Sequence, residues 1–319
     1  MKKSIFAFAA ALAALVACNK NEATPMQPQN QESLVPCELT VDICGAMTRA
    51  TAVSADNEAK VNNLQIFVFR GDDLDAYASV DNAQELTLSC TAGDRVVYAL
   101  VNAPDYSAVP GKAALLAKVS ELSANSLSNF EMVGSKSVTL PQSEKVSIDV
   151  NRIASRVVLK KITRSFTSEA LQALNFKVDA IYLINVAGNT SYDLSAAPAK
   201  WYNFAENKNE LASLIYDAPA SLITNGQSYS TAHTFYAYPN NLASNTTRLV
   251  IETTLGETKY YYPINLPEMA ANKSYEIEEV KITRPGSDNP DEPVSFADAT
   301  FSINVIDWTV VPVTEGTTI

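Results

Sequence analysis

The chain has 319 residues, 47% of them hydrophobic, with a net charge of −11 and a pI near 4.7. That is enough apolar material for a large core spread over one or two domains of the usual ~100–200 residues. The acidic balance excludes the basic footprint on which nucleic-acid binding depends.

At the N-terminus, Lys2 and Lys3 precede a short apolar run ending Leu15-Val16-Ala17-Cys18. A basic start, an apolar core of about 7–15 residues and small residues at the cut are the layout of a secretory signal. The run is shorter than the ~20 residues a spanning helix needs. A cysteine just past such a cut resembles the bacterial lipobox, whose sulfur is diacylated and whose freed amine becomes the new N-terminus. The resemblance implies a signal peptide over residues 1–17, lipidation at Cys18 and export. Residues 19–33 are polar, with two prolines, and read as a tether.

In the next segment Val35, Cys37, Leu39, Val41 and Ile43 alternate with Pro36, Glu38, Thr40 and Asp42. Period two over this length predicts a strand with one buried face. Residues 45–57 are small and polar, carry Arg49 before Ala50, and read as an exposed loop. Leu64–Phe69 and Arg95–Asn102 are apolar on both faces, as in central strands, while residues 85–90 and 146–150 alternate. The spacing of Leu115, Leu116, Val119 and Leu122 predicts a helix within 112–130, and a shorter one is expected near Ser168–Leu174.

Strand patterns resume at 156–162, 176–186, 234–238, 248–254, 258–264 and 275–282. Many strands with no βαβ alternation argue for an all-β chain of sandwiches. The domain boundary is placed at 151–155, giving domains over 50–151 and 152–293. Arg284–Pro293 holds three prolines and reads as a linker, with Asp288, Asp291 and Glu292 keeping it solvated. In the final segment, 294–319, Phe301, Ile303 and Val305 alternate with polar residues. The phase then slips to Ile306, Trp308 and Val310, and a bulge near Val305–Ile306 is expected.

The chemistry-bearing residues are sparse. Cys37, Cys44 and Cys90 show no metal-ligand or CxxC spacing and read as buried thiols. A Cys37–Cys44 bridge would join opposite faces of one strand. The single histidine, His233, lies in a strand pattern and reads as structural. Tyr260-Tyr261-Tyr262 divides between core and surface rather than forming a glycan platform. No catalytic motif, metal site or cofactor loop is visible, so no enzyme, metal or cofactor is expected.

A removable first strand and a strand-bearing tail suggest one another's use. A cut between Arg49 and Ala50 would let the first strand leave, opening an apolar groove that another subunit's tail refills. Such a contact is head-to-tail and builds a filament. Here the chain resembles the fimbrillins, or type V pilins, of Gram-negative anaerobes. The marks are Cys18, Thr48-Arg49-Ala50, Asn63–Phe69, Asn151-Arg-Ile-Ala-Ser-Arg-Val157, Phe235–Asn240, Asn272–Tyr275, Ile282–Pro290 and Asp307-Trp308.

The resemblance implies two transthyretin-like β-sandwich domains with a few short helices and a C-terminal donor-strand extension. It implies a lipid tether and removable strand over 18–49, cut after Arg49 by an Arg-specific protease. The released strand carries Val35, Cys37, Leu39, Val41 and Ile43. The donor strand carries Phe301, Ile303, Val305, Ile306 and Trp308. Implied partners are other copies or related pilin subunits, and outer-membrane lipid while the chain is a precursor; a host protein or glycan is a further candidate. The implied location is the outer membrane, then an extracellular fimbria. The alternative is a lipid-anchored adhesin or glycan-binding lipoprotein that never polymerises. Cys18→Ala is expected to block lipidation, so that membrane fractionation finds an unanchored or unprocessed precursor.

Overall fold

The computed structural model describes residues 34–45, 57–142, 144–204, 208–218, 222–295 and 298–308; Cys18, Arg49, Ala50 and Val310 lie outside them. The first strands are β1 (Pro36–Gly45), β2 (Asn63–Arg70), β3 (Asp73–Asp81), β4 (Glu85–Thr91), β5 (Gly93–Val101), β6 (Val119–Glu121), β7 (Met132–Leu140) and β8 (Val146–Arg152). All but β6 join one sheet, in the order β3-β2-β5-β7-β8-β1-β4.

β7 and β8 pair only through Met132↔Arg152 and Val133↔Asn151. The sheet divides there, and β8-β1-β4 shares a core with β3-β2-β5-β7. Leu39, Val41 and Ile43 from one part belong to the same buried cluster as residues of β2 and β5 from the other. At the other side, Arg95 on β5 donates to Asp75 on β3 at 3.0 Å, and Asp75 accepts the Thr91 amide at the end of β4. These bonds outweigh burial and hold the Asp75 carboxyl below its ordinary range.

The second series is β9 (Ser155–Leu159), β10 (Ile162–Arg164), β11 (Phe176–Ile184), β12 (Val186–Ala187), β13 (Asn189–Ser191), β14 (Trp201–Tyr202) and β15 (Ile215–Asp217). It continues with β16 (Ser228–Tyr229), β17 (His233–Ala237), β18 (Arg248–Leu255), β19 (Thr258–Asn265), β20 (Lys273–Ile282) and β21 (Ala299–Asp307). One sheet runs β16-β10-β20-β9-β17, with β21 on β20, and a second runs β15-β11-β18-β19. Strands up to Arg152 and strands from Ser155 thus build separate main sheets. On that basis we propose the division into 50–151 and 152–293. A small sheet of β6 with β13 joins the two series.

Two expectations are corrected and a third is met. The helix expected within 112–130 is only α1 (Lys112–Leu116). Leu115 is buried, but Val119–Glu121 leaves the helix to pair with β13, a ladder that overrides local propensity. The short helix expected near Ser168–Leu174 is present as a single turn, α2 (Glu169–Gln172), with Ser168 at its N-cap position but without a side-chain cap bond. The bulge expected near Val305–Ile306 lies instead on β20, between Ile277 and Val280.

Gly134 on β7 shows how tightly the sheet divides. A Cβ there would stand 2.2 Å from the Asp149 carbonyl oxygen on β8. Gly134→Ala is therefore expected to cost about 1–3 kcal/mol by overpacking, read as a lower urea midpoint of the uncleaved chain.

Candidate assembly site

β1 is paired on both sides. It runs antiparallel to β4 from Pro36↔Thr91 to Asp42↔Glu85, and parallel to β8 from Val41↔Val146 to Gly45↔Val150. Leu39, Val41 and Ile43 point into the core and are 2%, 0% and 5% exposed. At ~1.5–3 kcal/mol per buried aliphatic side chain, these three contribute roughly 5–9 kcal/mol before ordering costs.

The expectation of five buried side chains is corrected here. Cys37 is half-buried, and Val35 is exposed because it precedes the strand, holding only the Ala92 amide through its carbonyl. The outer face of β1 carries light polar contacts. Thr40 and Thr87 hydroxyls meet at 2.8 Å, Ser147 donates to Asp42 at 2.6 Å, and the Cys44 thiol donates to Asp149 at 3.0 Å. Burial and the Asp149 carboxylate push the Cys44 thiol up to about 11. Exposed contacts of this kind add little, so two ladders and three core side chains hold β1. Without it, β4 and β8 would face an apolar groove.

β21 lies along β20 from Lys273↔Asp307 to Ile282↔Ala299. The other side of β20 is taken by β9 and β10, so β21 is an edge strand on a single ladder. Phe301 and Ile303 are half-buried, while Val305 and Ile306 are exposed.

The linker is pinned to the body, although Asp288 and Glu292 are exposed as expected. Tyr261 and Ser287 exchange amide bonds of 2.8 and 2.9 Å, and the Val294 amide reaches the Pro263 carbonyl at 3.1 Å. Asp291 accepts from Asn185 at 3.2 Å and pairs with Arg248. Gly286 permits the approach, since a Cβ there would lie 2.2 Å from the Tyr261 oxygen.

Trp308 is fully buried in its own chain, so the described part of the tail packs on its own body. Its Nε1 donates to the buried Glu58 carboxylate at 2.9 Å. Glu58 also accepts from Arg156 at 3.0 Å and from the Tyr236 hydroxyl at 2.7 Å. The indole stacks on Tyr236 and meets Phe130 edge-on, with centroids 5.5 and 5.2 Å away. The Arg152 guanidinium lies 4.5 Å over the indole and donates to the Trp308 and Glu58 carbonyls. Burial lowers Arg152 to about 10 and raises Tyr236. Residues from both strand series and from the tail thus meet at one point.

His233 is buried, its Nε2 2.9 Å from the Tyr229 hydroxyl, and burial lowers its pKa. Tyr262 is buried while Tyr260 and Tyr261 are partly exposed. Among the described residues, no group of three or more His, Cys, Asp or Glu is placed to hold a metal. The motifs Asn151–Val157, Phe235–Asn240 and Asp307-Trp308 contain Arg152, Arg156, Tyr236 and Trp308 but assign none of them a role in this cluster; Glu58 and Phe130 carry no local signal.

Trp308→Ala is expected to cost the uncleaved chain about 3–5 kcal/mol, as for a buried aromatic. Val305→Ala should stay within about 0.5 kcal/mol. Urea unfolding of the two variants reads the difference.

Residues 38–157 match the family model of the major fimbrial subunit protein FimA. A putative cell adhesion protein from Bacteroides eggerthii superposes with TM-score 0.66 at 18% identity, covering 88% of this chain and 98% of that one. A fimbrilin from Porphyromonas gingivalis gives 0.65 at 16%, covering 86% and 98%. A tip fimbrial protein from the same organism, with C-terminal truncation, gives 0.54 at 12%, covering 86% and 100%. At these identities the structural likeness is one of fold. The fimbrillin likeness is carried by the family match as well as by the all-β sandwich-like sheets.

Proposed function

We propose that this chain is a structural subunit of a cell-surface fimbria, and that a strand from a neighbouring subunit replaces β1 during assembly. The observation that carries the reading is β1 itself. A segment near the chain start fills the core between β4 and β8, and residues 46–62, which include Arg49, join it to the later strands. The family match over 38–157 supports the pilin role.

In this reading the chain is exported, lipidated at Cys18 and held at the outer membrane. An Arg-specific protease cuts between Arg49 and Ala50, β1 leaves, and the subunit joins an extracellular fimbria. Residues 294–319 are the donor. Before the cut, the accessible part of β21 is its free edge with exposed Val305 and Ile306, an edge of the kind that pairs with other chains. Donation of Trp308 would require it to leave Glu58, so release of the tail is coupled to opening of that cluster.

The rival reading is a lipid-anchored adhesin or glycan-binding lipoprotein that does not polymerise. The burial of Trp308 in its own chain favours it, because a tail that completes its own core need not be given away.

Surface subunits are expected to begin at Ala50 by N-terminal sequencing, and Arg49→Ala should leave anchored or soluble monomers. Val305→Asp with Ile306→Asp changes two exposed positions, so stability should move by no more than about 0.5 kcal/mol each. The pair should nevertheless abolish filaments in electron micrographs. Filaments of normal length from that variant, or surface protein that keeps Cys18 and its lipid, would overturn the strand-exchange reading.

A further inference from the structure

Cys37 and Cys90 sit opposite each other across the β1–β4 ladder, with sulfurs 3.6 Å apart. Both are free thiols. The Ala92 amide donates to the Val35 carbonyl and the Ile43 amide to the Gln84 carbonyl. The odd-numbered residues of β1 therefore occupy hydrogen-bonded positions, and Cys37↔Cys90 is one of these. Such pairs hold their Cα atoms about 5.5 Å apart, within the span a disulfide bridges. Closing the bond needs side-chain rotation and no new backbone path. Cys44 does not compete, since its thiol is on the other face of β1 and donates to Asp149 at 3.0 Å.

We propose that Cys37 and Cys90 form a reversible disulfide that keeps β1 fastened to β4 after the chain between residues 45 and 57 is cut. The fastening rests on the function proposed above; the bond itself does not. Export would place the pair where disulfides persist.

The oxidant is a disulfide, either a small molecule or a protein. It reaches the half-buried Cys37 first, because Cys90 is buried. Burial, with the hydrogen bond to Cys37, pushes the Cys90 thiol up to about 12. The Cys37 thiolate attacks the oxidant's S–S bond, forms a mixed disulfide and expels one thiolate, which takes up the proton Cys37 lost. The Cys90 sulfur then attacks the Cys37 sulfur, and its proton goes to the second thiolate expelled. Two protein thiols lose two protons and two electrons, and the oxidant's disulfide becomes two thiols.

The test uses the exported chain carrying Cys18→Ala. Oxidised glutathione should lower its free-thiol count from three to one. Peptide mapping should find Cys37 joined to Cys90, and dithiothreitol should restore all three thiols. Three remaining thiols, or glutathione adducts without the cross-link, would overturn the proposal. The oxidised and reduced forms are then cut with an Arg-specific protease and unfolded in urea without reductant. The oxidised form should keep the segment bearing Cys37 on the body, whereas the reduced form and Cys37→Ser should shed it. An oxidised, cut chain that sheds the segment overturns the fastening. If the protease cuts nowhere in 46–56 in any sample, strand release and the fastening both fall, and the thiol count still decides the bond.

Discussion

Glu58 is buried and accepts hydrogen bonds from the Trp308 indole, the Tyr236 hydroxyl and the Arg156 guanidinium. A carboxylate out of water is costly unless charge and hydrogen bonds compensate it. Here Arg156 supplies the charge and two further donors complete the shell. Arg152, also buried, is satisfied by the carbonyls of Glu58 and Trp308 and by the indole face. Each partner comes from a different part of the chain, so none of the group is satisfied until the two strand series and the tail are in place. Within the cluster, removal of Arg156 would take from the buried Glu58 carboxylate its ion pair.

The two termini of the described structure are held in contrasting ways. β1 has ladders on both sides and three side chains in the core. β21 has one ladder, two half-buried side chains and a large anchor at its far end. β1 is gripped by β4 over 36–42 and by β8 over 41–45, whereas an edge strand can peel from its loose part. This asymmetry fits a subunit that is stable until the backbone is cut beside β1 and then changes partner.

The fold was legible wherever one face of a strand is wet. Alternation at 35–44, 146–150 and 301–305 marked β1, β8 and β21, because period two reports burial directly. The apolar runs at 64–69 and 95–102 marked strands covered on both faces. What failed was decided at a distance. Val119–Glu121 is strand because β13 waits for it. The phase slip at Val305–Ile306 was read as a bulge in β21, but the extra residue lies on its partner β20. Asp291 looked like a solvated linker residue until Arg248 met it. Glu58 and Cys90 had no local pattern linking them to Trp308 and Cys37, since such pairings exist only once the register is set.

The place of β1 also bears on how such a molecule carries load. A strand in the place of β1 lies against two ladders that follow one another along its length, β4 over residues 36–42 and β8 over 41–45. A pull along that strand's own axis strains the bonds of both ladders together, in shear. A pull across it opens them one after another, like a zip. A chain of subunits joined through this slot would thus resist stretching along its length far better than peeling from one side.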